Sequence, residues 1–96
     1  MEKGGYTYIL TNKPFGILYV GVTADIAQRM TQHRDSHGSA FVRKWQLHRL
    51  VLIEPHSTIE EAIAREKALK NWLRVWKLHL ITENNPNWDD LSEHLA

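Results

Sequence analysis

Two stretches near the start of the chain carry the strand pattern. Tyr6-Thr7-Tyr8-Ile9-Leu10 and Ile17-Leu18-Tyr19-Val20-Gly21-Val22 are rich in aromatic and β-branched residues, and Thr11-Asn12-Lys13-Pro14-Phe15-Gly16 lies between them with Asn, Pro and Gly. That sequence predicts a β-hairpin with a loop of several residues. Side chains alternate faces along a strand, so Tyr6, Tyr8 and Leu10 share one face, as do Ile17, Tyr19 and Gly21. If Thr11 pairs with Gly16 or Leu18, the two sets meet on one face; if it pairs with Ile17, Tyr8 and Tyr19 part company.

Helical periodicity follows. Thr23 or Asp25 is placed to cap a helix, with Gln28 three residues after Asp25, and Ile26, Arg29, Met30 and His33 fall on one stripe of it. Asp35 to Ala40 reads as a loop, followed by Phe41-Val42-Arg43-Lys44-Trp45 and Gln46-Leu47-His48-Arg49, where cations interleave with aromatics in a way that suits a nucleic acid or a solvated linker. Leu50-Val51-Leu52-Ile53-Glu54, ending at Pro55, is a continuous apolar run and predicts a buried third strand beside the hairpin.

Ser57 or Thr58 then opens a second helix, with Glu60 and Glu61 in the first turn where the helix dipole favours acids. Its apolar stripe holds Ala62, Ile63, Leu69 and Leu73, and Glu66 projects into the middle of it. A carboxylate in that position is paired, protonated or bound to a metal, because an isolated buried charge is too unfavourable. Arg29 and Lys70 are the available ion-pair partners. Asn71 to Ile81 continues helical with a break expected near Val75, and Asn84-Asn85-Pro86-Asn87-Trp88-Asp89-Asp90-Leu91 follows.

Composition narrows the class. Ninety-six residues with 43% hydrophobic positions and four Trp make one domain, 1–96, of α+β type. With no cysteine, disulfides, thiolate metal sites and cysteine nucleophiles are excluded. The N-terminus lacks the apolar core of a secretory signal and no run approaches a membrane span, so a cytoplasmic protein without membrane partners is expected. The net charge of +1 conceals an asymmetry: residues 29–77 carry ten Lys/Arg against five Asp/Glu, whereas residues 78–96 carry four acids and no Lys/Arg. A basic middle points to a polyanion.

Tyr6-Thr7-Tyr8, ten residues, then Tyr19-Val20-Gly21 resembles the paired motifs that name the GIY-YIG nucleases, with Tyr6-Thr7 in place of Gly-Ile. Arg29 stands eight residues after Gly21, where the family has a catalytic Arg, and His33 four further on, where it has Tyr or His. Glu66, in Ala62-Ile63-Ala64-Arg65-Glu66-Lys67-Ala68-Leu69-Lys70, matches the family's single metal-binding carboxylate. The Glu-Lys-x-Leu-Lys-x-Trp segment and the Asn-Pro-x-Trp-x-Asp-Leu ending resemble the small bacterial branch, so the likeness covers nearly the whole chain. It extends to the N-terminal catalytic domain of the excision-repair nuclease, from which the chain departs at Val22, where that protein has Lys, and at Asp89, where it has Asn.

The resemblance implies a three-stranded, mainly antiparallel sheet flanked by helices. It also implies a divalent-metal-dependent endonuclease acting on DNA. Tyr19, or else Tyr8, is the general base on water, Arg29 holds the scissile phosphate, Tyr8 and His33 position the reacting groups, and Glu66 holds one Mg²⁺ or Mn²⁺. A phenol of ordinary pKa is only about 0.1% ionised at pH 7, a handicap of roughly 4 kcal/mol. Nearby cations that favour the phenolate reduce it. The rival readings are a nucleic-acid-binding module that keeps the fold without catalysis and a protein-interaction domain with a basic face.

Overall fold

The computed structural model describes residues 4–35 and 39–95. The hairpin forms from β1 (Gly5–Thr11) and β2 (Leu18–Thr23), and β1 also pairs with β3 (Arg49–His56). The order is β2-β1-β3 and both pairings are antiparallel. Thr11 pairs with Leu18, Leu10 with Tyr19 and Tyr8 with Gly21, so the two tyrosines share a face.

Between the strands and around them run α1 (Ile26–Arg34), α2 (Ala40–Trp45), α3 (Ile59–Asn71) and α4 (Arg74–Asn84), ending in a 3₁₀ turn, Leu91–His94. Helices on both faces of the sheet make two cores. Tyr8, Leu10, Ile26, Met30, Val42, Leu47 and Leu50 fill one; Ile9, Val20, Val51, Leu52, Leu69, Ile81 and Trp88 fill the other. The central strand is therefore buried on both sides, which explains the near-continuous apolar character of Tyr8-Ile9-Leu10.

The third strand departs from strict alternation, since Val51 and Leu52 are adjacent yet lie in the same core. A register shift against β1, where Ile9 pairs with Leu52 but Leu10 with Leu50, inserts the extra residue that makes this possible. The strand also runs further than the apolar segment, through Pro55 to His56. As an edge strand it tolerates the missing N–H of Pro55.

Caps fix the helix starts. The Asp25 carboxylate accepts from Gln28 N–H at 3.0 Å, and Thr58 Oγ1 accepts from Glu61 N–H at 3.1 Å. Ser39 caps α2, a short helix within the basic aromatic segment that periodicity did not reveal. Gly5 lets α3 approach β1: a Cβ there would lie 2.7 Å from Ile59 Cδ1 and 3.1 Å from Ala62 Cβ. Thr7 Oγ1 donates to the Ala62 carbonyl at 2.9 Å and ties the two elements together.

The apolar stripe of α3 is narrower than the sequence predicts. Ala62 and Leu69 are fully buried, whereas Ile63 and Leu73 are exposed. The helical run breaks at Trp72 and Leu73, not near Val75, because Trp72 turns to extended geometry and packs against the second core. Arg74 then donates to the carbonyls of Phe15 and Gly16 at 2.8 and 2.7 Å, so α4 starts against the hairpin loop.

The Asn-Pro-x-Trp-x-Asp-Leu ending is a clasp. Asn85 Nδ2 donates to the Val51 and Asp89 carbonyls, and Asp90 Oδ1 accepts from the Leu50 N–H. Buried Trp88 donates through Nε1 to Thr82 Oγ1 at 2.9 Å and stacks on Phe15 at 4.7 Å between centroids. Burial would raise the Asp90 carboxyl, but hydrogen bonds from Ser92 and Leu50, with help from Arg34, outweigh it and hold the group below its ordinary value.

Gly21 is the glycine on which the site depends. Its φ is not positive, yet a Cβ there would collide with the Tyr8 ring and hydroxyl. Gly21→Ala is therefore expected to destabilise the protein by about 1–3 kcal/mol, as overpacking does. Urea unfolding of the variant beside wild type checks this.

Candidate active site

β1 delivers Tyr8, β2 delivers Tyr19, and α1 delivers Arg29 and His33 to the same side of the sheet. The three rings form a near-equilateral group: Tyr8 to Tyr19 is 6.4 Å, Tyr8 to His33 is 6.1 Å and Tyr19 to His33 is 6.0 Å between centroids. Four of the five residues expected from the sequence thus come from three elements to one place. The absence of a side chain at Gly21 leaves the room over β2 that the Tyr8 ring occupies.

The two tyrosines are not equivalent. Tyr8 is 1% exposed and its hydroxyl lies 3.0 Å from His33 Nε2. Burial chiefly, then Tyr19, lifts the Tyr8 phenol far above its ordinary value; Arg29 offsets part of this and Glu66 adds to it. A phenol held neutral in this way is a donor, so we assign its O–H to His33 Nε2 and the imidazole proton to Nδ1. Tyr19 is only partly buried, and it stacks on Phe41 of α2 at 6.3 Å between centroids.

Burial chiefly, then the charges of Arg29 and His48, holds the His33 imidazole below its ordinary value. Arg29 Nε and His33 Nδ1 are the buried side-chain nitrogens without a hydrogen-bond partner among the described residues, and they belong to the same cluster. Buried polar groups are nearly always satisfied, so two unspent nitrogens in one cluster set it apart from an ordinary core.

Glu66, on α3, acts electrostatically on Tyr8 and so belongs to the same neighbourhood. Its side chain is 14% exposed and pairs with Lys70 Nζ at 3.1 Å, not with Arg29. No group of three or more His, Asp or Glu side chains converges among the described residues. A cation that keeps most of its water, as Mg²⁺ does, needs only one or two carboxylates, and Glu66 fits that demand.

The comparison with known families fits this geometry. Residues 4–79 match the model of the GIY-YIG catalytic domain. The chain belongs to the GIY-YIG family. It is 36% identical over 78 residues to a UPF0213 protein of Staphylococcus saprophyticus, covering 81% of this chain and 94% of that one. It is 29% identical over 84 residues to a UPF0213 protein of Streptococcus pneumoniae, covering 88% and 84%, and 29% identical over 94 residues to one of Bacillus pumilus, covering 98% and 96%. No solved structure gives a significant match.

Membership of a GIY-YIG nuclease family gives the paired motifs a physical reading. The Gly of the second motif faces the Tyr of the first across the strand pair, and the Tyr of the second sits diagonally beside it. Phe41 and His48 also reach this site, and neither was assigned to it from the sequence. Their one signal there was the mixture of aromatics and cations, because a six-residue helix is too short to show a periodicity.

The low pKa of His33 makes stability depend on pH. Below about 6.5 the unfolded chain takes up a proton that the folded protein resists, so the unfolded state binds more protons and stability falls as pH drops toward the folded-state value. Melting temperatures measured from about pH 7 to about pH 5 are expected to fall more steeply for wild type than for His33→Gln. Parallel curves would contradict the assignment.

Proposed function

We propose that the protein is a divalent-metal-dependent endonuclease that hydrolyses phosphodiester bonds in DNA. The observation that carries this reading is the gathering of Tyr8, Tyr19 and His33 within about 6 Å of one another, beside Arg29 and Glu66, in a chain of the GIY-YIG family. The basic middle of the chain supports a polyanionic substrate, and exposed Lys44, Lys67 and Lys70 belong to it.

Tyr19 is the general base. Tyr8 is the poorer candidate, since burial favours its neutral form and its hydroxyl hydrogen-bonds His33. Tyr19, more open, takes in its phenolate form the proton from the attacking water as the water oxygen adds to phosphorus and the opposite P–O bond breaks. Arg29, only half-buried, donates through its guanidinium to the phosphate oxygens and stabilises the charge that develops on them. Tyr8 fixes His33 through the hydrogen bond to Nε2, and the two position the water or the departing oxygen. Glu66 would hold one Mg²⁺ or Mn²⁺, which would supply positive charge to offset that of the phosphate.

The test is Mg²⁺- and Mn²⁺-dependent cleavage of labelled single-stranded, duplex and branched DNA. Tyr19→Phe is expected to cut about 10²–10⁴-fold more slowly, and Arg29→Ala about 10²–10³-fold more slowly. Glu66→Gln and EDTA each abolish cleavage. Equal cleavage by Glu66→Gln would sink the metal assignment, and wild-type protein that binds these DNAs but cuts none would make the chain a binding module.

A further inference from the structure

Two carboxylate pairs involve α3, and they differ in kind. Glu54 meets Arg65 through two hydrogen bonds, at 2.8 and 3.1 Å, and the guanidinium also lies over the Trp72 ring at 4.9 Å. Arg65 and Glu54 are both mostly covered, so this pair is a fixed clamp between α3 and β3. Glu66 meets Lys70 through one contact at 3.1 Å, and the exposures are unequal: 14% for the Glu66 side chain and 54% for that of Lys70.

That inequality has physical content. The carboxylate is held by its surroundings, while the ammonium reaches it from solvent at the end of a flexible stem. A largely buried carboxylate needs a cation close by, and a Lys four residues further along a helix supplies one from the same element. Arg29, the other cation near the site, makes no ion pair with Glu66. Lys70 and a divalent cation therefore compete for the same oxygen lone pairs.

We propose that Lys70 is the resident counter-ion of Glu66, holding its carboxylate in place when no metal is bound, and that a divalent cation enters by displacing it. The inference rests on Glu66 being the metal carboxylate. It gives Lys70 the role of a positioning residue: its ammonium keeps the carboxylate in place and withdraws toward solvent when the cation enters.

Mn²⁺ titrated into the protein without nucleic acid, read by loss of the free-ion EPR signal, tests the exchange. Lys70→Met is expected to bind Mn²⁺ about three- to fivefold more tightly than wild type, the effect of removing a half-exposed competitor. Lys70→Arg, which keeps a cation within reach, stays near the wild-type affinity. Lys67→Met makes the same charge change on the same helix without the contact to Glu66, and is expected to remain within about twofold of wild type. Unchanged binding in Lys70→Met, or equal tightening in Lys67→Met, overturns the exchange while leaving the metal assignment standing. Wild-type protein that takes up no Mn²⁺, or Glu66→Gln that takes up as much as wild type, removes the metal site and the exchange with it.

Discussion

The contact between Tyr8 and Gly21 is the constraint on which the site depends. Antiparallel pairing sets these residues opposite each other, and only the missing side chain lets a phenol ring lie across the neighbouring strand. From there its hydroxyl reaches His33 on α1, and its ring reaches Tyr19 one diagonal step away. The sheet register, the helix position and the ring cluster are one arrangement. A one-residue slip of the hairpin would send Tyr8 and Tyr19 to opposite faces and dissolve it.

Burial then divides labour among chemically similar groups. Two phenols a few ångströms apart acquire different characters because one is enclosed and hydrogen-bonded and the other is partly open. Two cations of one helix likewise differ in their ion pairs, since Arg65 is pinned to Glu54 of β3 by two hydrogen bonds and covered by an aromatic face while Lys70 is not. The unpartnered nitrogens of Arg29 and His33 sit where the fold has used its apolar material to surround polar groups without saturating them. Such unspent capacity is unfavourable for stability.

Much of what looks like signature in this chain is architecture. The C-terminal Asn85, Trp88 and Asp90 hold the last segment to Val51 and Leu50 of the edge strand and to α4. Arg65, next in sequence to Glu66, clamps α3 to that same strand. These groups lie outside the ring cluster and secure the elements that carry it.

The sequence by itself determined the three strands, the long helices and most of the candidate site's membership. Strand-forming residues around a Pro- and Gly-containing loop specify the hairpin. Thr23 or Asp25, and Ser57 or Thr58, mark two helix starts, of which the structure uses Asp25 and Thr58, and the i, i+3, i+4 and i+7 spacing of Ile26, Arg29, Met30 and His33 specifies which side of α1 faces the sheet. A carboxylate among apolar positions marked Glu66. These are local properties, set within a few residues by backbone sterics and side-chain periodicity. The tertiary structure alone decided the rest. It chose the hairpin register, gave Glu66 its partner Lys70 over Arg29, brought Phe41 against Tyr19, broke the helix at Trp72 and placed the bulge that sends Val51 and Leu52 into one core. Each of those outcomes depends on a contact between segments far apart in the chain or on a competition for the same space, and no local pattern encodes which contender wins.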